Sequence, residues 1–483
     1  MDRTPLGWTV PGVGLAVALV TAVLLAIQVT ADPAIGVTFS ASPFSDEGWS
    51  VLGARNQALL GRWSTDEWQL FWAQLPFNVA VLGAFEIAGV GIIQARVVAI
   101  ACTVVATGVL AAVVARCLGP GPAAIGGIGL GTSTLLLYHG RLAILEPIVL
   151  LFLVAGFVLL FMVRPDRPGI GGILAGAALA LAIGTKPSAA FAVVGMLAGG
   201  IALGWGTPGL RARVLTATGV IVAAGAAWLA VVLPQDGLLD VILRIWPRQE
   251  LPASVPEVVI RVGRYARSSD GTLVLAAPLL AGFAAGALLV MRRWRTLPPT
   301  WRAIAGAAAG WFLLGMLVLL LLPYRPNRYV VPLLPPLAVM TALGAGILGD
   351  RPGFGGLQRG SVVVGLCLAI AAPGVAAMAR WMDSATHQLP EIQAQLLGML
   401  TDGRAIEGGL APTMAMRAPI PAIVPGFGVN AGDLYAEHHI GWVLVDRSRR
   451  PAWADAHPEA WENREQVLCI AWGAGESCLY RVP

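Results

Sequence analysis

The residues of this chain that could do chemistry are few, and they fall in short stretches between long apolar runs. Asp46 and Glu47 stand side by side. Arg55, Arg96, His139, Arg141, Glu146 and Lys186 follow, then Tyr324, Arg325, Arg328 and Tyr329. A carboxylate can take the proton of an attacking hydroxyl. Arginine holds a phosphate through a bidentate fork and lysine holds it as a point charge, and either stabilises it as it leaves. Asp46, at the start of a helical stretch, is the candidate base, with Glu47 as helper or alternative. Lys186, Arg325 and Arg328 are the candidate phosphate-binding groups, with Arg55 and Arg141 behind them. Glu146, Arg96, His139, Tyr324 and Tyr329 complete the candidate set.

Each of these types also has a purely structural use. Acids in the first turn of a helix favour its dipole by roughly 0.3 to 1 kcal/mol, an account open to Ser45-Asp46-Glu47 and sufficient for Thr65-Asp66-Glu67. Arg141 with Glu146 fits an ion pair at the end of a span. Lys186, Arg325 and Arg328 also fit interfacial anchors, and Tyr324 and Tyr329 an aromatic belt.

Composition states what must position these groups. The chain has 483 residues, 57% hydrophobic and 12% charged, with a mean hydropathy of +0.75. A soluble surface, at roughly 25% charged residues, cannot be built from it. The formal charge of +5 resides in loop arginines, which topology and lipid phosphate explain better than nucleic acid. Of the 32 basic residues only Lys186 is a lysine.

Apolar runs of about 17 to 25 residues predict an all-α polytopic membrane protein with about eleven transmembrane helices. They lie near 10–30, 97–117, 122–138, 143–163, 170–184, 188–206, 213–233, 272–291, 302–322, 329–349 and 361–380. The segment from Asp2 to about Val20 lacks a cleavage-site pattern and reads as part of the first helix. With a cytoplasmic N-terminus, the inner loops carry Arg116, Arg164, Arg167, Arg211, Arg213, Arg292, Arg293, Arg295, Arg302, Arg351 and Arg359. The short outer loops carry Arg141, Lys186, Arg325 and Arg328, so the positive-inside rule favours this orientation in the cytoplasmic membrane. Segments 31–96 and 234–270 are then outside, as is everything from 381 onward.

Away from their ends the spans are almost free of acids and bases, unlike those of transporters and pumps. The chemistry therefore belongs at headgroup depth, where a lipid tail would fix a reacting phosphate. In the first outer segment, Asp46–Leu60 and Asp66 to about Val81 read as interfacial amphipathic helices rich in tryptophan. In the second, Pro256–Arg267 sets Val258, Val259, Val262 and Tyr265 opposite an arginine stripe that snorkels to lipid headgroups.

Residues 1–380 thus form a transmembrane domain, and 381–483 a small extracytoplasmic α/β domain of short apolar runs alternating with helical stretches. Cys469 and Cys478 flank a Gly-Ala-Gly turn and would face each other across a hairpin, suited to a disulfide on an oxidising side. Cys102, Cys117 and Cys367 read as packing residues. The histidines lack partners at ligand spacing; Asp46 and Glu47 could ligate a divalent metal, but no complete ligand set accompanies them.

A set of motifs carries a family resemblance. Asp46-Glu47-Gly48-Trp49, with Ala54-Arg55 and Gly61-Arg62-Trp63 after it, resembles the first outer loop of the GT-C glycosyltransferases, notably protein O-mannosyltransferases and the aminoarabinose transferases of lipid A. Gln94-Ala95-Arg96, the run from Arg141 to Glu146, Gly184-Thr185-Lys186-Pro187 and Arg328-Tyr329 with Pro332 and Pro335 follow in order, over roughly residues 1–350. Five motifs in the right order at one membrane face are together specific. The chain departs from the family in having Leu75-Pro76 for a Pro-Pro pair and Glu146 for an Asp.

The resemblance implies transfer of a sugar from a polyprenyl-phosphate donor to an acceptor hydroxyl on a lipid, glycan or protein, with inversion, Asp46 being the base. A transporter or flippase of lipid-linked sugars, and a catalytically silent relative whose C-terminal domain recruits a partner, are the alternatives.

Overall fold

The computed structural model describes residues 10–33, 45–66, 71–162, 168–207, 209–232, 254–267, 275–322, 326–349, 356–425, 433–447, 450–472 and 475–483. It is a helical bundle with a small sheet packed on one end. Among the described residues six helices are long and apolar enough to cross a bilayer: Ile92–Leu118, Pro168–Thr185, Leu210–Val231, Pro299–Leu321, Asn327–Gly349 and Gln358–Met382. Pro11–Ala26, Gln74–Ala88, Glu146–Met162 and Ala189–Gly204 are shorter apolar helices. The chain is a multi-pass membrane protein. Leu15, Val222, Val364 and Leu368 stand exposed on its outside, as expected of side chains that face lipid.

Small residues bring helices together where no hydrophobic drive exists between them. The helix Ala189–Gly204 meets Pro299–Leu321 through Gly195 and Gly199 against Gly306 and Gly310; a Cβ on Gly195 would run into the Gly310 carbonyl.

Several expected elements are divided or displaced. The stretch expected at Asp46–Leu60 is two helices, Ser45–Ser50 and Leu52–Leu60, which break at Val51. Of the helix expected at Asp66 to Val81, the described part is Phe71–Ala88, which continues past Val81 because the run from Val79 to Phe85 is apolar on every side rather than one. Its buried Asn78 accepts from the Ala54 amide at 2.8 Å and donates to the Ser50 carbonyl, tying the two short helices to it. The span expected at 122–138 breaks into Pro120–Gly131 and Thr134–His139. The helix expected in the second loop segment is Val255–Arg267; it lies against the end of Pro299–Leu321, where Arg261 donates to the Leu321 carbonyl at 2.7 Å.

The helix Gly356–Met382 leads through Gln388–Met399 into a five-stranded sheet in the order β2-β1-β3-β5-β4. β1 (Ala405–Glu407) is parallel to β2 (Ala422–Ile423) and β3 (Ile440–Asp446). The hairpin of β4 (Glu465–Trp472) and β5 (Gly475–Arg481) sets Cys469 opposite Cys478, and the two form a disulfide. One apolar cluster joins Val51, Phe77 and Ile148 to Leu396, Ile406 and Met414, so the sheet shares a core with the bundle end.

Inside the sheet domain Glu407 is buried, with Trp453 Nε1 donating to its Oε2. Burial pushes its carboxyl up to about 7, against the Trp453 hydrogen bond. A folded-state pKa above the ordinary 4.5 means the contribution to stability is full below that value and is lost as pH rises through about 7. The loss by pH 8 is about 3 kcal/mol. The unfolding midpoint is therefore expected to fall between pH 5 and pH 8, and Glu407→Gln to flatten that dependence; an unchanged slope in the variant would assign it to other groups.

Candidate active site

Four stretches distant in sequence meet at the bundle end that carries the sheet. Asp46 lies in the first turn of Ser45–Ser50 and is buried. Arg328 donates from Nη1 to Asp46 Oδ2 at 2.6 Å, and its Nε lies 3.4 Å from Glu146 Oε1. The Lys186 ammonium pairs with the same Glu146 oxygen and sits 3.6 Å from the centre of the Tyr329 ring. Asp46, Arg328, Glu146 and Lys186 thus form a chain of alternating charge, with Tyr329 against both cations.

Proline places the two cations. Lys186 precedes Pro187, whose ring disfavours the helical conformation at the residue before it, and so stands at the end of Pro168–Thr185. Arg328 lies in a 3-10 stretch, Asn327–Leu333, that follows Pro326 and contains Pro332. Loss of the Pro332 N–H keeps an α-helix from extending back through Arg328. Glu146 heads its own helix, where a negative charge meets the positive end of the dipole.

Glu47, next to Asp46, faces the bundle instead. Arg96 grips it through Nε at 2.7 Å and Nη2 at 2.6 Å, and the Ala143 amide donates to it at 2.9 Å. Both partners are about 1% exposed. Removing one side of such a pair strands the other charge and costs about 3 to 5 kcal/mol. The Glu47→Gln amide oxygen can still accept from Arg96 or the Ala143 amide and so keep the Asp46 helix in place. The variant is expected to lower the unfolding midpoint while turnover per folded molecule stays near wild type, and a large loss of turnover without loss of stability would give Glu47 a chemical role.

Arg141 is buried beside this pair. It donates to the carbonyls of Gln28, Ala31 and Asp32 and lies 4.1 Å from the Trp381 ring centre. The expected Arg141–Glu146 pair is absent among the described residues, because the turn between them sends Glu146 into the next helix, toward Lys186 and Arg328. Burial first, and Arg96 second, lower the Arg141 guanidinium to about 9, so it remains charged at neutral pH. His139 is buried at the end of Thr134–His139, its Nδ1 3.0 Å from the Leu135 carbonyl.

Arg55 points to the sheet domain. It donates to the carbonyls of Met416, Ala415, Ala418 and Ile420 at 2.6 to 3.0 Å, and to Asn56 Oδ1. Burial lowers it to about 10, which leaves these bonds charge-assisted at neutral pH. Tyr324 and Arg325 lie outside the described residues. Asn78, Thr413 and Trp381 were not singled out by sequence; a polar residue within an apolar run marked Asn78, and nothing local marked the other two.

An apolar pocket opens beside Lys186 and Tyr329 where the start of Ala189–Gly204 meets the end of Pro299–Leu321, lined by Val149, Ala192, Val318, Leu319, Leu322 and Leu333. Among the described residues, the cluster with metal-ligand spacing is Cys469, Glu476 and Cys478, and its two cysteines are bonded to each other.

Residues 78–235 match the family model of dolichyl-phosphate-mannose-protein mannosyltransferases. ArnT from Cupriavidus metallidurans, solved bound to undecaprenyl phosphate, superposes with a TM-score of 0.60 at 14% identity, over 97% of each chain. The chain has the GT-C glycosyltransferase fold. Other GT-C structures agree. Arabinofuranosyltransferase AftD from Mycobacteria matches at a TM-score of 0.54 and 16% identity, over 97% of this chain and 40% of that one. The oligosaccharyltransferase AglB from Archaeoglobus fulgidus, in complex with an inhibitory peptide and a dolichol-phosphate, matches at 0.51 and 12%, over 90% and 69%. No curated protein matches the sequence. The likeness in GT-C fold covers the C-terminal sheet as well as the stretch that carries the motifs.

Proposed function

We propose that the protein transfers a sugar from a polyprenyl-phosphate donor to an acceptor hydroxyl, with inversion, on the outer face of the cytoplasmic membrane. The observation that carries this reading is the junction of an apolar pocket with a cationic head. The pocket between Ala189–Gly204 and Pro299–Leu321 opens beside Lys186 and Tyr329, and Arg328 links that head to Asp46 at 2.6 Å. The first units of an isoprenoid tail suit the apolar pocket, and a phosphate suits Lys186 and Arg328. The undecaprenyl phosphate bound in the ArnT structure supports the same assignment.

The residues can then carry a single displacement. Phosphate arriving at Lys186 and Arg328 shares their charge with Glu146, while Arg328 keeps Asp46 in line with the acceptor. The acceptor oxygen bonds to the anomeric carbon as the carbon–phosphate-oxygen bond breaks, the hydroxyl proton passes to Asp46, and polyprenyl phosphate leaves with the electron pair. Glu146 holds the two cations at their spacing. Glu47, Arg96 and Arg141 keep the first outer loop on the bundle, and Arg55 keeps it on the domain 381–483. Arg325, two residues upstream of Asn327, is assigned to the same phosphate head by its position in sequence.

Distances along the helices support this orientation. Arg96 is at the site end of Ile92–Leu118, and Arg116 lies twenty residues on, about 30 Å away across the bilayer. Arg302 stands in the same relation to Leu322 at the pocket. The arginine-rich loops are thus at the far end from the site, which the positive-inside rule puts in the cytoplasm.

The test is release of free polyprenyl phosphate by the purified protein from a panel of polyprenyl-phosphate hexoses and pentoses with candidate lipid, glycan and peptide acceptors. Release that requires an acceptor supports transfer. Binding of lipid-linked sugars without release from any donor would overturn it in favour of transport.

A further inference from the structure

The helix that carries Asp46 has six residues, far below the roughly 12 to 15 at which an isolated helix begins to hold in water. Its geometry must come from what grips it. On the bundle side the grip is Glu47 in the Arg96 fork. On the other side it is the segment from Gly409 to Ile420 of the sheet domain. The Gly48 amide donates to Thr413 Oγ1 at 2.9 Å, and Trp49 Nε1 donates to the Gly409 carbonyl at 2.7 Å. Arg55, one helix later, gathers four carbonyls of the same segment. Contact is so close that a Cβ on Gly48 would run into the backbone of Pro412 and Thr413. Thr413 is itself held, its carbonyl accepting from Gln393 Nε2 at 2.7 Å. Gln393 belongs to Gln388–Met399, whose first amides, Gln388 and Leu389, donate to Asp32 just after the first span.

We propose that residues 409–420 are a positioning element for Asp46, with Thr413 as the positioning residue that sets its carboxylate against Arg328 and the acceptor hydroxyl. The role of the sheet domain is then catalytic alignment, exercised from about one turn away through the Gly48 amide and the Trp49 indole. This rests on Asp46 as the base of the transfer proposed above.

Thr413→Val keeps the shape and deletes the hydroxyl that receives the Gly48 amide. The full-length variant is expected to show amide exchange at residues 45–52 about tenfold faster than wild type, with exchange in Ile92–Leu118 unchanged. Its kcat is expected to fall about tenfold while KM for the lipid donor stays within about twofold, since Lys186 and Arg328 are untouched. Thr413→Ser, which restores the hydroxyl, is expected to recover both. Gly48→Ala is expected to have the larger effect on both readouts. Unchanged exchange at 45–52 in Thr413→Val overturns the proposal whatever the activity, as does faster exchange with undiminished kcat. Asp46→Asn in the same series separates the two readings: if it turns over like wild type, the base assignment fails and the alignment proposal with it. If it is inactive while Thr413→Val is unaffected, only the alignment proposal fails.

Discussion

Asp46→Asn is expected to lower kcat by about 10³-fold, equivalent to about 4 kcal/mol of transition-state stabilisation, with donor KM changed by less than about threefold. The size follows from removing the group proposed to accept the acceptor's proton while retaining its volume and one hydrogen-bonding oxygen. Arg328 would still reach that oxygen, so the phosphate-binding head is preserved. The buried setting of Asp46 lets a change of charge also affect folding, and the rate must therefore be taken per folded molecule. Glu47→Gln is the matched control. It sits on the next residue and is likewise buried, but its carboxylate is committed to Arg96 and the Ala143 amide. If the two variants lose turnover equally, the loss reports disruption of the loop. A deep loss in Asp46→Asn alone, across a range of pH, identifies the base.

Much of the bundle was legible because a bilayer asks for long apolar runs and little else. The ends of Pro299–Leu321 and Ala189–Gly204 lie within about three residues of their apolar runs for that reason. The breaks were not legible. Val51 divides a stretch whose hydrophobic pattern is continuous, and what divides it is contact of Gly48 and Trp49 with residues 409–413, more than 350 positions away in sequence. No window on the sequence holds both partners. The sheet shows the same limit. β3 and β4 contain short apolar runs of the kind expected there, whereas β1, three residues long and carrying the acidic Glu407, has no such mark.

The site was legible as a set of residues, and its pairing was not. Charge and position picked out Asp46, Glu146, Lys186 and Arg328, which do meet. They also picked out Arg55, Arg96 and Arg141, which look the same in sequence and are occupied with carbonyls or with Glu47. An arginine at an interface binds whichever oxygen the fold presents, and only coordinates show whether that oxygen belongs to the chain. Glu146 illustrates the point: the nearby Arg141 was the obvious partner, and the helix start that turns it toward Lys186 and Arg328 decides otherwise.

Arg328 is the position at which this distinction has most effect on rate. It touches Asp46 through Nη1 and Glu146 through Nε, so its planar fork spans the base and the carboxylate that spaces the cations. In the proposed transfer Arg328→Ala removes a positive charge from the point where the leaving phosphate gains negative charge, and is expected to lower kcat/KM by about 10²- to 10³-fold, the usual cost of losing one preorganised donor. Arg328→Lys keeps the charge but offers an ammonium on a flexible stem in place of a rigid fork. It is expected to recover part of the donor KM and little of kcat, since holding the phosphate needs only charge while holding Asp46 in line needs the second arm. Measuring the two parameters separately for lipid donor decides between these uses. A Lys variant that recovers kcat fully would show that Arg328 acts as a counter-ion alone. An Ala variant with unchanged donor KM would remove it from the phosphate site and leave Lys186, at the mouth of the pocket, to bind the donor without it.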